Sequence, residues 1–188
     1  MALKIILFVE GESNSPNGDL RQGLSKLLEQ KLKGKLPRII LGDGKSQTID
    51  KFKNNRLLTD LSLLLIDLDK PESEIENDLK EYELLDYRDN VFYMIQEMEN
   101  WFLSQPDILD EYYGKDLTIK KAISEKLPKK KASDIEHPDE KLQELTKNTK
   151  RGAYHKIRHG VELLKKLDAT KLEKDIPEFK KLIEKLTE

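Results

Sequence analysis

The stretch LSLLLIDLDKP, residues 61–71, decides the fold. Its almost unbroken apolar run from Leu61 to Ile66 stops at Asp67, a second aspartate follows at Asp69, and Pro71 closes the segment. A strand with one wet face alternates apolar and polar residues, whereas a continuous run suits a central strand covered on both faces. Similar runs lie on either side. Lys4 to Glu10 is apolar and β-branched and ends at Gly11, Pro37 to Leu41 is closed by Gly42 and Gly44, and Asn90 to Ile95 precedes QEMENWF. Between these strands the spacing turns helical. Leu20, Leu24, Leu27, Leu28 and Leu32 share one face, with Asp19 near the start and Gly34 near the end, and a second helix is expected over 72–84 with Pro71 in its first turn. A third is expected over 97–103. Strand–helix alternation of this kind predicts an α/β protein with a mainly parallel four-stranded sheet.

After Pro106 only helical spacing remains, over 107–113, 117–126, 138–147, 154–167 and 176–187, and LPKKKASDIEHPDE reads as an exposed loop. The expected organisation is one domain over 1–188, with an α/β core at 1–105 and a basic helical extension at 106–188. Its 188 residues suffice for one core. Residues 1–113 carry 14 Lys and Arg against 22 Asp and Glu, net -8, while 114–188 carry 20 against 14, net +6. That asymmetry suits a site holding metal with one part and phosphate with the other, or a surface serving solubility alone. The chain has no cysteine, which excludes disulfides, thiolate metal sites and cysteine nucleophiles. No apolar run approaches a membrane span and LKIILFVE is too short for a signal peptide, so a cytoplasmic protein is expected.

Functional residues in parallel sheets gather where strands end. Here the first strand delivers Glu10 and the third Asp67 and Asp69, oxygen donors suited to Mg²⁺ or Mn²⁺. Gly11 would let phosphate or metal approach the backbone. Alone, Asp67 and Asp69 are equally turn and capping residues before Pro71; Glu10 on an earlier strand favours the site. Glu99 is a candidate further carboxylate, with Trp101 and Phe102 as packing. The richest phosphate-binding candidate is the acid-free stretch holding Lys147, Lys150, Arg151, His155, Lys156, Arg158 and His159. His155 and His159 have i, i+4 spacing, but HKIRH lacks the glutamate of a zinc protease. GDGKS at 42–46 is not a phosphate-binding Walker loop, because Ile39 stands where its first glycine belongs.

FVEGES, LLLIDLDKP, IQEMENWFLSQPDIL, GAYHKIRHGVELLKKLD and IPEFKKLIEKL resemble, in that order, the blocks of an uncharacterised bacterial family with a Toprim-like domain. That family is related in fold to topoisomerase–primase domains and to the overcoming-lysogenization-defect nucleases. The resemblance runs from about residue 4 to 187. It implies a Toprim-like, Rossmann-like sheet with a helical extension, Asp67 and Asp69 as metal ligands, and Glu10 as acid/base or metal-associated carboxylate. One departure stands out: where such sequences carry Gly-x-Thr-Glu, this one reads Gly11-Glu12-Ser13-Asn14. The implied function is a Mg²⁺- or Mn²⁺-dependent nuclease on DNA or RNA, in bacterial defence beside an ATPase partner. Lys150, Arg151, Lys156 and Arg158 would hold flanking phosphates, with His155 or His159 bonding a substrate oxygen. Two alternatives remain: a non-catalytic subunit binding nucleic acid or an ATPase, and phosphoryl or nucleotidyl transfer to a small substrate.

Overall fold

A computed structural model describes residues 4–12, 20–55 and 61–188. Ser13, Asn14 and Asp19 therefore lie outside the described residues. The four expected strands form at β1 (Ile5–Val9), β2 (Arg38–Leu41), β3 (Leu61–Asp67) and β4 (Val91–Met94). They build one sheet in the order β2-β1-β3-β4, parallel throughout. Leu7 lies opposite Ile39 and Leu63, and Leu65 opposite Phe92, so the chain direction brings Glu10 and Asp67 to one edge.

Because side chains alternate across a strand, each strand feeds both faces. Leu7, Val9, Leu63, Leu65, Phe92 and Met94 point to one core. Over them lie α1 (Leu20–Leu32), α4 (Glu99–Leu103), α5 (Pro106–Tyr113), α7 (Lys156–Lys166), α8 (Ala169–Asp175) and α9 (Pro177–Thr187). Ile6, Phe8, Leu64, Ile66 and Tyr93 point the other way, under α2 (Lys45–Asn55) and α3 (Ile75–Glu81). A further helix, α6 (Pro138–Thr146), packs against α4. The helices after residue 106 thus share one continuous core with the sheet, reaching from Leu7 to Leu186. Gly23 allows the closest approach: a Cβ there would lie 2.8 Å from the Leu164 Cβ, so α1 and α7 touch almost backbone to backbone. β4 is an edge strand, and there the carboxylate of Glu178 on α9 accepts the backbone N–H of Tyr93 at 3.2 Å.

Two helices were not foreseen and one expected helix does not form. α2 offers only Ile49 and Phe52 as large apolar residues, too few for a periodic signal, and α8 is set by Asp168, whose carboxylate caps the N–H groups of Thr170 and Lys171. The helix expected over 117–126 is replaced by a loop ending in a 3₁₀ turn at Ser124–Lys126. Buried Asp116 accepts the N–H groups of Thr118 and Ile119 as a helix cap would, but Lys120 then takes a left-handed φ of 60° and the chain folds back. Lys115 bridges to Ala122 and the Asp116 N–H donates to the Lys121 carbonyl; Asp116 also pairs with Lys126 at 2.7 Å. Among the described residues no helix is long and apolar enough to cross a membrane.

Candidate carboxylate site

β1 and β3 end side by side, and their first polar residues interlock. Glu10 donates its N–H to the Leu65 carbonyl, and its Oε2 accepts the Asp67 N–H at 3.1 Å. Asp67 Oδ1 in turn accepts the Met98 N–H at 2.9 Å, which ties the end of β3 to the start of α4. The next residue, Glu99, is fully buried; its Oε1 accepts the Tyr154 hydroxyl at 2.7 Å, while Oε2 has no partner. Lys156, in the first turn of α7, joins the two acids. Its Nζ stands 3.5 Å from Asp67 Oδ2 and 3.8 Å from Glu99 Oε1, although half of its side chain is in solvent.

The chain leaves the sheet here under strain. Asp69 and Gln96 both adopt left-handed backbone angles, φ 58° and 59°, and bond to one another's segments, Asp69 N–H to the Gln96 carbonyl and Gln96 N–H to that of Lys70. Each such conformation costs about 1–3 kcal/mol for a residue with a side chain, and strain of this kind collects at functional sites. Aspartate is one of the residues that tolerates it best.

The charges are unevenly matched. Burial pushes the Asp67 carboxyl up to about 8; Lys156 draws it down, and Glu99, Glu10 and Asp69 add to the rise. Burial likewise raises Glu10, against the Asp67 N–H that holds it down. Glu97 rises to about 7, from burial first and then from Asp139 and Glu99. Desolvation alone would lower Lys156, but Asp67, Glu99, Glu97 and Glu10 outweigh it and hold the ammonium above the usual lysine range.

Glu10, Gly11, Glu12 and Asp67 form one wall of a cleft of about 520 Å³, with His155 and Lys156 on the other. Asp69 acts on Glu10 and Asp67 through its charge, and Glu99 lies beneath. Gly11 serves packing, since a Cβ would meet the Leu20 side chain at 2.9 Å. Of the expected phosphate-binding residues, only His155 and Lys156 line this cleft. Lys150 and Arg151 instead flank Tyr112 and Tyr113, the Arg151 guanidinium stacking 4.2 Å above the Tyr112 ring. His159 is engaged by the Tyr113 hydroxyl at 3.0 Å and by the His155 N–H, with burial lowering its pKa ahead of His155, Arg151 and Arg158. In GDGKS, Lys45 opens α2 and pairs with buried Asp78 at 3.0 Å.

Glu97 and Tyr154 are the residues missed by sequence reasoning. Glu97 stands beside Glu99 in QEMENW and accepts the Asp139 N–H at the start of α6, a role that spacing alone does not assign. Tyr154 carries no local signal, because its partner Glu99 is remote in sequence. Among the described residues no three acids or histidines are grouped so as to chelate one ion; the Lys156 ammonium bridges Asp67 and Glu99 instead.

Comparison with curated proteins and with solved structures gives no match. A family model described as a domain of unknown function, DUF4276, matches residues 9–187, nearly the whole chain with both strand-end acids and the lysine that bridges Asp67 to Glu99, and the chain belongs to that family.

Proposed function

We propose that this chain is a divalent-cation-dependent phosphodiesterase acting on DNA or RNA, as its resemblance to Toprim-type nucleases implies. The observation that carries the reading is a charge imbalance at the strand ends. Glu10, Asp67, Glu97 and Glu99 interact there with Lys156, Asp69 adds its charge to Glu10 and Asp67, and one oxygen of Glu99 is buried without a partner. Lys45, the other cation acting on Glu10, is already paired with Asp78.

Hard divalent cations prefer such oxygen donors, and Glu10, Asp67, Asp69 and Glu99 are the residues that would hold Mg²⁺ or Mn²⁺, with Lys156 released from its present contacts. The ion would supply charge stabilisation to a phosphoryl group and acidify a water. The chain's own groups supply the remainder. Glu10, raised by burial, is the carboxylate that would handle a proton in the cleft or share the ion. Lys156 and His155 line the opposite wall, where they would meet phosphate oxygens. With no described helix able to cross a membrane, we place this activity in the cytoplasm, in keeping with a defence role beside an ATPase.

Calorimetric titration of Mn²⁺ into the wild type and into an Asp67→Ala/Asp69→Ala variant tests the assignment. Binding is expected in the wild type and absent from the variant; equal affinity in both overturns it. A second reading is favoured by the bridging Lys156 and the missing three-donor group: a non-catalytic subunit that binds nucleic acid or an ATPase. Nucleic-acid binding by a wild type that takes up no Mn²⁺ supports that reading.

A further inference from the structure

A second cavity, of about 630 Å³, is distinct from the carboxylate cleft. It lies between α4, the segment 124–135 and the turn from α8 into α9. Three independent features of its walls favour the same ligand chemistry. The first is charge: Lys129, Lys130 and Lys131 on one side and Lys174 on another are exposed, and none makes an ion pair among the described residues. The second is the start of α9. Ile176 and Pro177 line the cavity, and the positive end of this helix has no side-chain cap. The third is a buried donor without a partner, the indole N–H of Trp101, in a wall residue 1% exposed.

The acids in the walls do not cancel these features. Glu178 is committed to the Tyr93 N–H and to Lys181, which leaves Glu72 and Asp175 against four unpaired lysines. The cavity is also tied to the sheet edge. Asn100 Nδ2 donates to the carbonyls of Ile95 and Ile135, fixing the lysine-bearing segment beside the end of β4, and Asn100 and Trp101 follow Glu99 directly on α4.

We propose that this cavity binds a phosphate-bearing anion, clamped by Lys129–Lys131 and Lys174 at the start of α9, independently of the carboxylate cleft. Two sources share that chemistry: the backbone of a nucleic-acid strand and a free polyphosphate compound.

Trp101 is the chain's only tryptophan and stands in the wall, so its emission reports occupancy. Inorganic tripolyphosphate and, separately, an oligothymidylate are titrated into the full chain at low salt, with calorimetry in parallel. A saturable emission change is expected with at least one of them. Affinity should fall at least tenfold in a Lys129→Gln/Lys130→Gln/Lys131→Gln variant and stay unchanged in Asp67→Asn. Saturation by tripolyphosphate alone identifies a free phosphate compound, and saturation by the oligonucleotide, steeply weakened by salt, identifies a strand. Lys174→Gln, on a separate element, weakens binding as well and serves if the triple variant fails to fold. The proposal is overturned if neither probe changes the emission, if heat is released without an emission change, or if the lysine variants bind as tightly as the wild type.

Discussion

Replacing Asp67 by asparagine should make the metal-free protein more stable, and increasingly so as pH rises. In the fold the Asp67 carboxyl titrates at about 8, against 3.8 for the unreacted side chain. Below pH 3.8 both folded and unfolded chains hold the proton. Between the two values the folded chain keeps a proton that the unfolded chain has lost, so stability declines as pH rises, and above about 8 the loss is complete. At 1.36 kcal/mol per unit, the interval corresponds to at most about 6 kcal/mol. Water entering the open cleft as Asp67 ionises reduces this, and an effect of about 2–3 kcal/mol between pH 4 and pH 8 is expected. Asparagine keeps an oxygen for the Met98 N–H and removes the titration. Urea unfolding of both proteins at pH 5, 6, 7 and 8, without divalent metal, measures the difference directly. A stability difference that stays flat across this range refutes the reasoning.

Three further substitutions examine the site and its support. Tyr154→Phe removes the hydroxyl that Glu99 Oε1 accepts, leaving a second buried oxygen short of a donor; a loss of about 1–3 kcal/mol in urea unfolding is expected, and a loss below about 0.5 contradicts the bond. Lys156→Gln takes the compensating ammonium from Asp67 and Glu99; because the side chain is half exposed, about 1–2 kcal/mol is expected at pH 9, where Asp67 is ionised, with a smaller deficit at pH 6, where it is protonated. Gly23→Ala gains helix propensity of about 1 kcal/mol but forces Leu164 away from α1, so a net loss of about 1–3 kcal/mol is expected; a stabilised protein would show that α1 and α7 are less closely packed.

The sequence made the sheet and its edge legible for the same reason. A strand buried on both faces must be apolar throughout, so the first acid after such a run marks the place where the chain leaves the core, as Glu10 and Asp67 do. Glu99 was visible as an acid among core aromatics, but its burial was not, because that depends on Tyr154 and Lys156 arriving from α7 and the segment before it. The basic stretch was legible as charge and not as geometry. One end of it turns inward to the carboxylates while Arg151 lies against Tyr112, a division governed by the turn at Gly152, with φ 77°. The loop at 117–126 misled because its apolar spacing is helical, while the backbone turns back at Lys120, φ 60°, and pairs Lys115 with Ala122 and Asp116 with Lys121 instead of continuing a helix.

The contact between Glu178 and Tyr93 has a consequence for synthesis. On a ribosome the chain emerges from its amino end, so all four strands are made well before the residue that caps the outer edge of the last one. Until α9 arrives, β4 presents an open row of donors and the apolar side chains that α9 covers, both templates for a neighbouring nascent chain. Contacts that span so much sequence also close slowly. The interval between translation of β4 and docking of α9 is therefore when this protein most needs a chaperone, and shortening the chain before residue 176 should turn a folding protein into an aggregating one.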